Sequence, residues 1–150
     1  MAGVEVSSGP VAVEVDALSQ VPFLAGLERA ELERLAGRFK ERTFPQGAVV
    51  TREGERGARV LAFFVIAEGS ASVVVGGETK AVLGPGDYFG EIGLFYDEPR
   101  TATVTADADL RCYALGAWDF KPFVEENPQI AWPVMQTMAQ RIADNARTGR

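Results

Sequence analysis

Two glycines, a glutamate and an arginine lie close together in the chain and could bind a phosphate. Residues 84–104 read GPGDYFGEIGLFYDEPRTATV. Gly90 and Gly93 let the backbone approach a ligand closely, and free N–H groups in a turn that starts there would attract an anion. Arg100 follows seven residues after Gly93, and its planar guanidinium can donate two parallel hydrogen bonds to a phosphate. This pattern predicts an anion site.

Glu91 lies between the two glycines, where a carboxylate should repel an anion. It makes sense there if it accepts hydrogen bonds from hydroxyl groups or holds the arginine, and a cyclic sugar phosphate presents both needs. A glycine-rich turn with a surface ion pair between Glu91 and Arg100 explains the same residues, so spacing alone leaves both interpretations open. The glycines lack the spacing of a dinucleotide-binding motif, and no lysine follows them as a Walker loop requires.

The composition excludes several classes of function. The 150 residues contain no histidine, which excludes histidine-based acid–base catalysis, Ser-His-Asp and Cys-His nucleophiles and histidine metal sites. The net charge is −6 and the basic residues form no runs, so we expect no nucleic acid partner. Cys112 is the one cysteine, which suits a reducing compartment and an inert core thiol, and we expect a cytoplasmic protein. The longest apolar run, Val60–Ala67, is too short to span a membrane.

The middle of the chain has the pattern of short strands. The strands are rich in Val, Ile, Phe and Thr and are separated by turns that contain glycine or proline. Seven strands at this spacing indicate a sandwich, a jelly roll or a small barrel. They cover residues 41–44, 48–51, 60–67, 71–75, 79–83, 102–105 and 110–115.

Helical patterns flank the strands on both sides. Leucines and Phe39 recur at helical spacing from Val21 onward. At the other end, Asn127-Pro128 is a helix start signal, and Pro133 predicts a kink or a late start. Ile130, Val134, Met138 and Ile142 then recur every four residues, a stripe that packs on the barrel, on a second copy of itself, or over a ligand as a lid. Trp118, Phe120 and Phe123 are predicted to lie in the core between a helix and the barrel.

The first residues differ from the rest of the chain. Residues 1–16 are acidic and combine a Ser-Ser-Gly-Pro sequence with alternating valines. We predict a flexible leader there, with an arm that pairs as a strand on a partner as the alternative. Residues 17–150 are predicted to form one domain.

The central segment resembles the phosphate-binding cassette of the cyclic-nucleotide-binding domain family. The resemblance rests on two runs, Phe89-Gly90-Glu91-Ile92-Gly93-Leu94 and Pro99-Arg100-Thr101-Ala102-Thr103-Val104, and it extends in the expected order over about residues 18–147. It implies a mainly β fold, an eight-stranded jelly-roll barrel with an N-terminal helix and C-terminal lid helices.

The resemblance also implies roles for individual residues. Glu91 would bind the ribose 2′-hydroxyl, and Arg100 would bind the cyclic phosphate together with the backbone amides of Gly90, Ile92, Gly93 and Ala102. Thr101 is similar to the threonine of cGMP-dependent kinases and nucleotide-gated channels, but bacterial cAMP receptors also have threonine or serine there. We therefore expect cAMP as the ligand and keep cGMP open.

These inferences predict a binding module that signals through movement of its C-terminal helices, with no catalytic activity, metal or resident cofactor. We expect its partner to be a protein effector or a fused effector domain outside this chain, and a homodimer through the C-terminal helix stays open. One alternative is an interaction domain that keeps the fold but has lost its ligand. A cupin-like metal enzyme is the other, although without histidine its metal would need carboxylate ligands alone.

Overall fold

Two antiparallel sheets with helices before and after them make up the computed structural model, which describes residues 5–6, 13–56, 62–96 and 99–147. Its strands are β1 Glu5–Val6, β2 Lys40–Phe44, β3 Val49–Thr51, β4 Ala62–Glu68, β5 Ala71–Val75, β6 Glu78–Leu83, β7 Tyr88–Phe89, β8 Thr103–Ala106 and β9 Leu110–Gly116. Its α-helices are α1 Val15–Ser19, α2 Arg29–Ala36, α3 Ala117–Glu126 and α4 Ala131–Arg147. Short 3₁₀ turns lie at Pro22–Leu24, Glu91–Leu94 and Pro128–Ile130.

The strands β2 to β9 divide into two sheets of four. One sheet has the order β2-β9-β4-β7, with the two-residue β1 added at its β2 edge, and the other has the order β3-β8-β5-β6. The predicted fold class, mainly β with eight strands and flanking helices, is confirmed. β7 was not predicted, because a two-residue strand in a segment rich in turns shows no periodicity. Residues 60 and 61 of the predicted third strand lie outside the described residues.

Strand β4 is buried on both faces, which explains its continuous apolar sequence. Phe63 and Val65 face a cluster formed with the helices, while Phe64 and Ile66 face the space between the two sheets. Cys112 on β9 is fully buried in that second cluster, and burial raises the pKa of its thiol to about 12. The prediction of an inert core thiol is confirmed.

Helix α4 begins at a position that accommodates its proline. α4 starts at Ala131, so Pro133 lies in its first turn, where the backbone needs no N–H donor. The predicted late start is therefore confirmed.

α3 was not predicted from the sequence. Its Phe120 and Phe123 are buried as expected, but Trp118 is about half exposed with its indole against Gly116, so its assignment to the core was wrong.

Only part of the predicted leader lies within the described residues. Glu5 and Val6 pair antiparallel with Thr43 and Arg42 of β2, and α1 begins at Val15. Residues 1–4 and 7–12 lie outside the described part of the chain, so the flexible leader and the domain boundary at residue 17 stay predictions. In the described ranges, no helix combines the length and apolar character that a membrane span needs.

Candidate ligand-binding site

The glycine-rich turn is held against the sheet by strand pairing. β7 pairs with β4, and Gly90 follows directly with a left-handed backbone (φ 87°) that starts the Glu91–Leu94 turn. A Cβ atom on Gly90 would lie only 2.4 Å from the carbonyl oxygen of Ala62. Glycine is therefore required here for two independent reasons, its conformation and its close approach to β4.

Arg100 lies directly against this turn. A Cβ atom on Gly93 would come within 2.8 Å of Nη1 and 3.1 Å of Nη2 of Arg100. The arginine is only 8% exposed, which is unusual for this residue type. The structure thus brings together the two groups that the sequence analysis assigned to an anion site, and the missing side chain of Gly93 makes room for the guanidinium.

A second loop holds the backbone of Arg100. The amide of Arg100 donates to the carbonyl oxygen of Glu55 at 2.9 Å, and its own carbonyl oxygen accepts from Gly54 N–H at 2.8 Å. Glu53 N–H donates to the Thr103 hydroxyl at 2.9 Å. This loop was not predicted to be part of the site. Its glycine and glutamates are typical of any turn, and only the tertiary structure shows that it contacts the segment before β8.

A cavity of about 130 Å³ lies between this segment and the sheet. Gly90, Arg100, Thr101 and Ala102 line it, as the sequence analysis predicted for ligand contacts. The cavity is also lined by residues that were not predicted, on four different strands: Thr51, Val73, Phe89 and Val104. The alternation of side chains along a strand shows which residues share a face of that strand. It does not show which residues of different strands line one cavity, so a single sequence could not have identified these four.

The other predicted site residues, Glu91, Ile92 and Gly93, do not line the cavity. Ile92 is about half exposed, and the amide of Gly93 donates to the carbonyl oxygen of Gly90 at 3.1 Å. That hydrogen bond closes the turn. In the structure, therefore, the amide of Gly93 is already used within the protein.

Glu91 forms an ion pair with the C-terminal helix. Its Oε2 lies 3.0 Å from Nη2 of Arg141 on α4, and its side chain is 14% exposed. Tyr88 lies in the same environment: burial raises the pKa of its phenol, with a smaller opposite effect from Arg141. The simple interpretation of Glu91 as the surface partner of Arg100 does not describe this contact, because the glutamate is held by a residue 50 positions later in the chain.

Larger clefts lie elsewhere on the molecule. One of about 500 Å³ borders Arg111, and another of about 610 Å³ lies on the outer face of α4. Arg111 is paired with Glu68 at 3.1 Å and Glu41 at 3.4 Å, so its charge is already balanced. Among the described residues, no group of three acidic or cysteine side chains could hold a metal ion. The small cavity beside Arg100 is therefore the best candidate site.

Comparison with known proteins identifies the family. The model of the cyclic nucleotide-binding domain matches residues 41–127, more than half of the chain, and this range includes every residue that lines the cavity. The chain belongs to the cyclic-nucleotide-binding domain family. The resemblance of the central segment to the family cassette is thereby confirmed.

This cyclic-nucleotide-binding domain is similar to parts of several larger proteins. It is 36% identical over 137 residues to a cyclic nucleotide-gated potassium channel of Mesorhizobium japonicum, covering 91% of this chain and 37% of the channel. It is 40% identical over 106 residues to a cAMP-dependent protein kinase regulatory subunit of Yarrowia lipolytica, covering 69% of this chain and 28% of that subunit. The chain thus spans about a third of the length of these relatives.

A solved structure supports the fold over nearly the whole domain. The N-terminal domain of a transcriptional regulator from Streptomyces coelicolor superposes with a TM-score of 0.79 at 28% identity. The match covers 89% of this chain and 94% of the other.

Proposed function

We propose that this domain binds a cyclic nucleotide and places its cyclic phosphate against Arg100. The observation that carries the proposal is the buried Arg100 guanidinium packed on Gly93, at the edge of a cavity of about 130 Å³. A buried arginine fork suits a phosphate, because its parallel N–H groups match two phosphate oxygens. Membership of the family supports the same ligand class.

In this proposal Glu91 binds the sugar. A carboxylate offers two oxygens with about four acceptor positions, so Glu91 can accept a hydrogen bond from the ribose 2′-hydroxyl while Oε2 keeps its contact with Arg141. Amides of the Gly90–Gly93 turn and of Ala102 complete the phosphate contacts. Gly93 must give up or share its bond to Gly90 if its own amide takes part. We propose cAMP as the preferred nucleotide, with cGMP as the alternative.

We further propose that the bound nucleotide signals through α3 and α4, with no catalytic step. Phe95 follows the Glu91–Leu94 turn and makes edge-to-face ring contacts with Phe120 of α3 and with Phe23. The distances between the ring centroids are 5.5 Å and 5.6 Å. Arg141 links the same turn to α4. A ligand that shifts the turn therefore acts on both helices, and its effect equals its differential affinity for the two arrangements.

The outer face of α4 favours self-association. Trp132, Met135, Ala139 and Ile142 follow the 3-4 spacing of a coiled-coil seam, and all four are exposed. We propose that a second copy of this helix packs on that seam. We also propose a protein effector or a fused effector domain as the recipient of the signal, and a cytoplasmic location.

Calorimetric titration with cAMP and cGMP tests the central proposal. Arg100→Ala removes the fork, and since hydrogen bonds to charged groups contribute about 1.5–3 kcal/mol each, affinity should fall at least tenfold to a hundredfold. Arg100→Lys keeps the charge without the fork and should show a smaller loss. Arg147→Ala, on the exposed end of α4, serves as the control variant.

Circular dichroism must show that each variant stays folded. Unchanged affinity of folded Arg100→Ala would contradict the phosphate assignment. If the unmodified protein binds neither nucleotide in a thermal-shift scan, the domain is an interaction module that has lost its ligand.

A further inference from the structure

Three polar side chains of the described residues are buried: Glu31, Thr51 and Arg100. Glu31 is explained by helix capping, because its carboxylate accepts from Glu28 N–H at 2.8 Å and from the side chain of Gln129 at 3.1 Å. Arg100 belongs to the anion site. Thr51 is left without a structural explanation, since none of the side-chain hydrogen bonds between described residues uses its hydroxyl.

Thr51 lies in the wall of the candidate cavity. It ends β3 and pairs with Val104 of β8, and Val104 pairs in turn with Val73 of β5. The three residues form a row across three adjacent strands, and all of them line the cavity. Thr51, which is 7% exposed, has the only polar side chain in this row.

The row lies farther along β8 than the phosphate site. Val104 comes four residues after Arg100, which is at most about 14 Å of extended chain. Arg100 and the row line the same cavity, so a nucleotide with its phosphate on Arg100 can place its base against the row. The faces of a purine are flat and apolar, which suits Val73 and Val104, but its edge has donors and acceptors that lose water on binding and need partners.

We propose that the Thr51 hydroxyl hydrogen-bonds the edge of the purine base, which makes Thr51 a specificity-determining residue of this domain. The inference rests on the proposed function and deepens it. A hydroxyl is both a donor and an acceptor, so Thr51 can pair with an amino or a carbonyl group of the base. A purely structural role would not need the hydroxyl, because valine is a β-branched residue of similar shape and fits a strand equally well.

The test measures the affinities of Thr51→Val and Thr51→Ser for cAMP, cGMP and an abasic ribose 3′,5′-cyclic phosphate. A neutral hydrogen bond corresponds to about a three- to tenfold change in affinity. Thr51→Val should lose that factor for the preferred nucleotide and keep its affinity for the abasic analogue, while Thr51→Ser should retain binding. Thr105→Val on β8, whose side chain does not line the cavity, is the matched control.

The results separate this inference from the proposed function. If the unmodified protein binds a nucleotide and Thr51→Val binds it equally well, Thr51 does not contact the ligand and the inference is wrong. An equal loss for the nucleotide and the abasic analogue places Thr51 on the sugar phosphate and also overturns it. If the unmodified protein binds no cyclic nucleotide, the proposed function itself fails.

Discussion

Replacing Arg141 by glutamine tests whether the site and the C-terminal helix are coupled. The substitution removes the 3.0 Å ion pair between α4 and Glu91 and leaves a shorter, uncharged polar side chain. In the proposed mechanism Arg141 holds the Glu91 carboxylate in place, so that its second oxygen can accept from the ribose. Arg141→Gln should therefore weaken nucleotide binding, although Arg141 itself need not touch the ligand.

The expected magnitude follows from the exposure of the two partners. The side chains of Glu91 and Arg141 are 14% and 35% exposed, so the pair is partly screened by water and contributes about 1 kcal/mol or less to stability. Ordering a glutamate side chain costs about 1.5–2 kcal/mol in lost rotamer entropy. In the variant Arg141 no longer orders Glu91, so the binding free energy of the ligand has to offset part of this cost. We expect a loss of about 1 kcal/mol in binding, or about fivefold in affinity.

Calorimetry measures this loss, and tryptophan fluorescence follows the helices. Trp132 on α4 and Trp118 on α3 are both exposed at the surface, so a nucleotide-induced shift of the helices should change their emission. That change should shrink in Arg141→Gln and persist in Arg147→Gln, whose partner Asp144 lies on the same helix. Unchanged or higher affinity of Arg141→Gln would refute the reasoning, because it would mean that Arg141 does not prepare Glu91 for the ligand.

Two further predictions concern the turn and the outer helix face. Gly90→Ala should lower the free energy of unfolding in urea by several kcal/mol, because it adds a clash with Ala62 to the strain of a positive φ. Gly86 has a similar φ but open space around it, so Gly86→Ala should lower the free energy of unfolding by only about 1–2 kcal/mol. Equal losses for the two variants would show that the contact of Gly90 with β4 is unimportant. Met135→Glu places a charge in the exposed seam of α4 and should convert a dimer to a monomer in sedimentation experiments, and a monomeric unmodified protein would rule out the proposed association.

The sequence alone predicted a turn at Gly90–Gly93 and an anion site formed by that turn and Arg100. Gly90, Gly93 and Arg100 are residue types that backbone geometry and anion binding restrict strongly, so they stand out without any tertiary information. The strands were also readable, because β-branched residues between turn-forming residues mark them wherever they are more than a few residues long. β7 and α3 were not predicted, because neither shows a clear hydrophobic periodicity and α3 contains Pro122.

Tertiary structure decided which distant residues share the site. The pairing of β3, β8 and β5 places Thr51 and Val73 beside Val104, and the packing of α4 brings Arg141 to Glu91. These contacts join residues about 30 to 50 positions apart. Strand register and helix docking depend on the burial of whole faces of strands and helices. A single sequence shows which face of an element is apolar, but it does not show which other element covers that face.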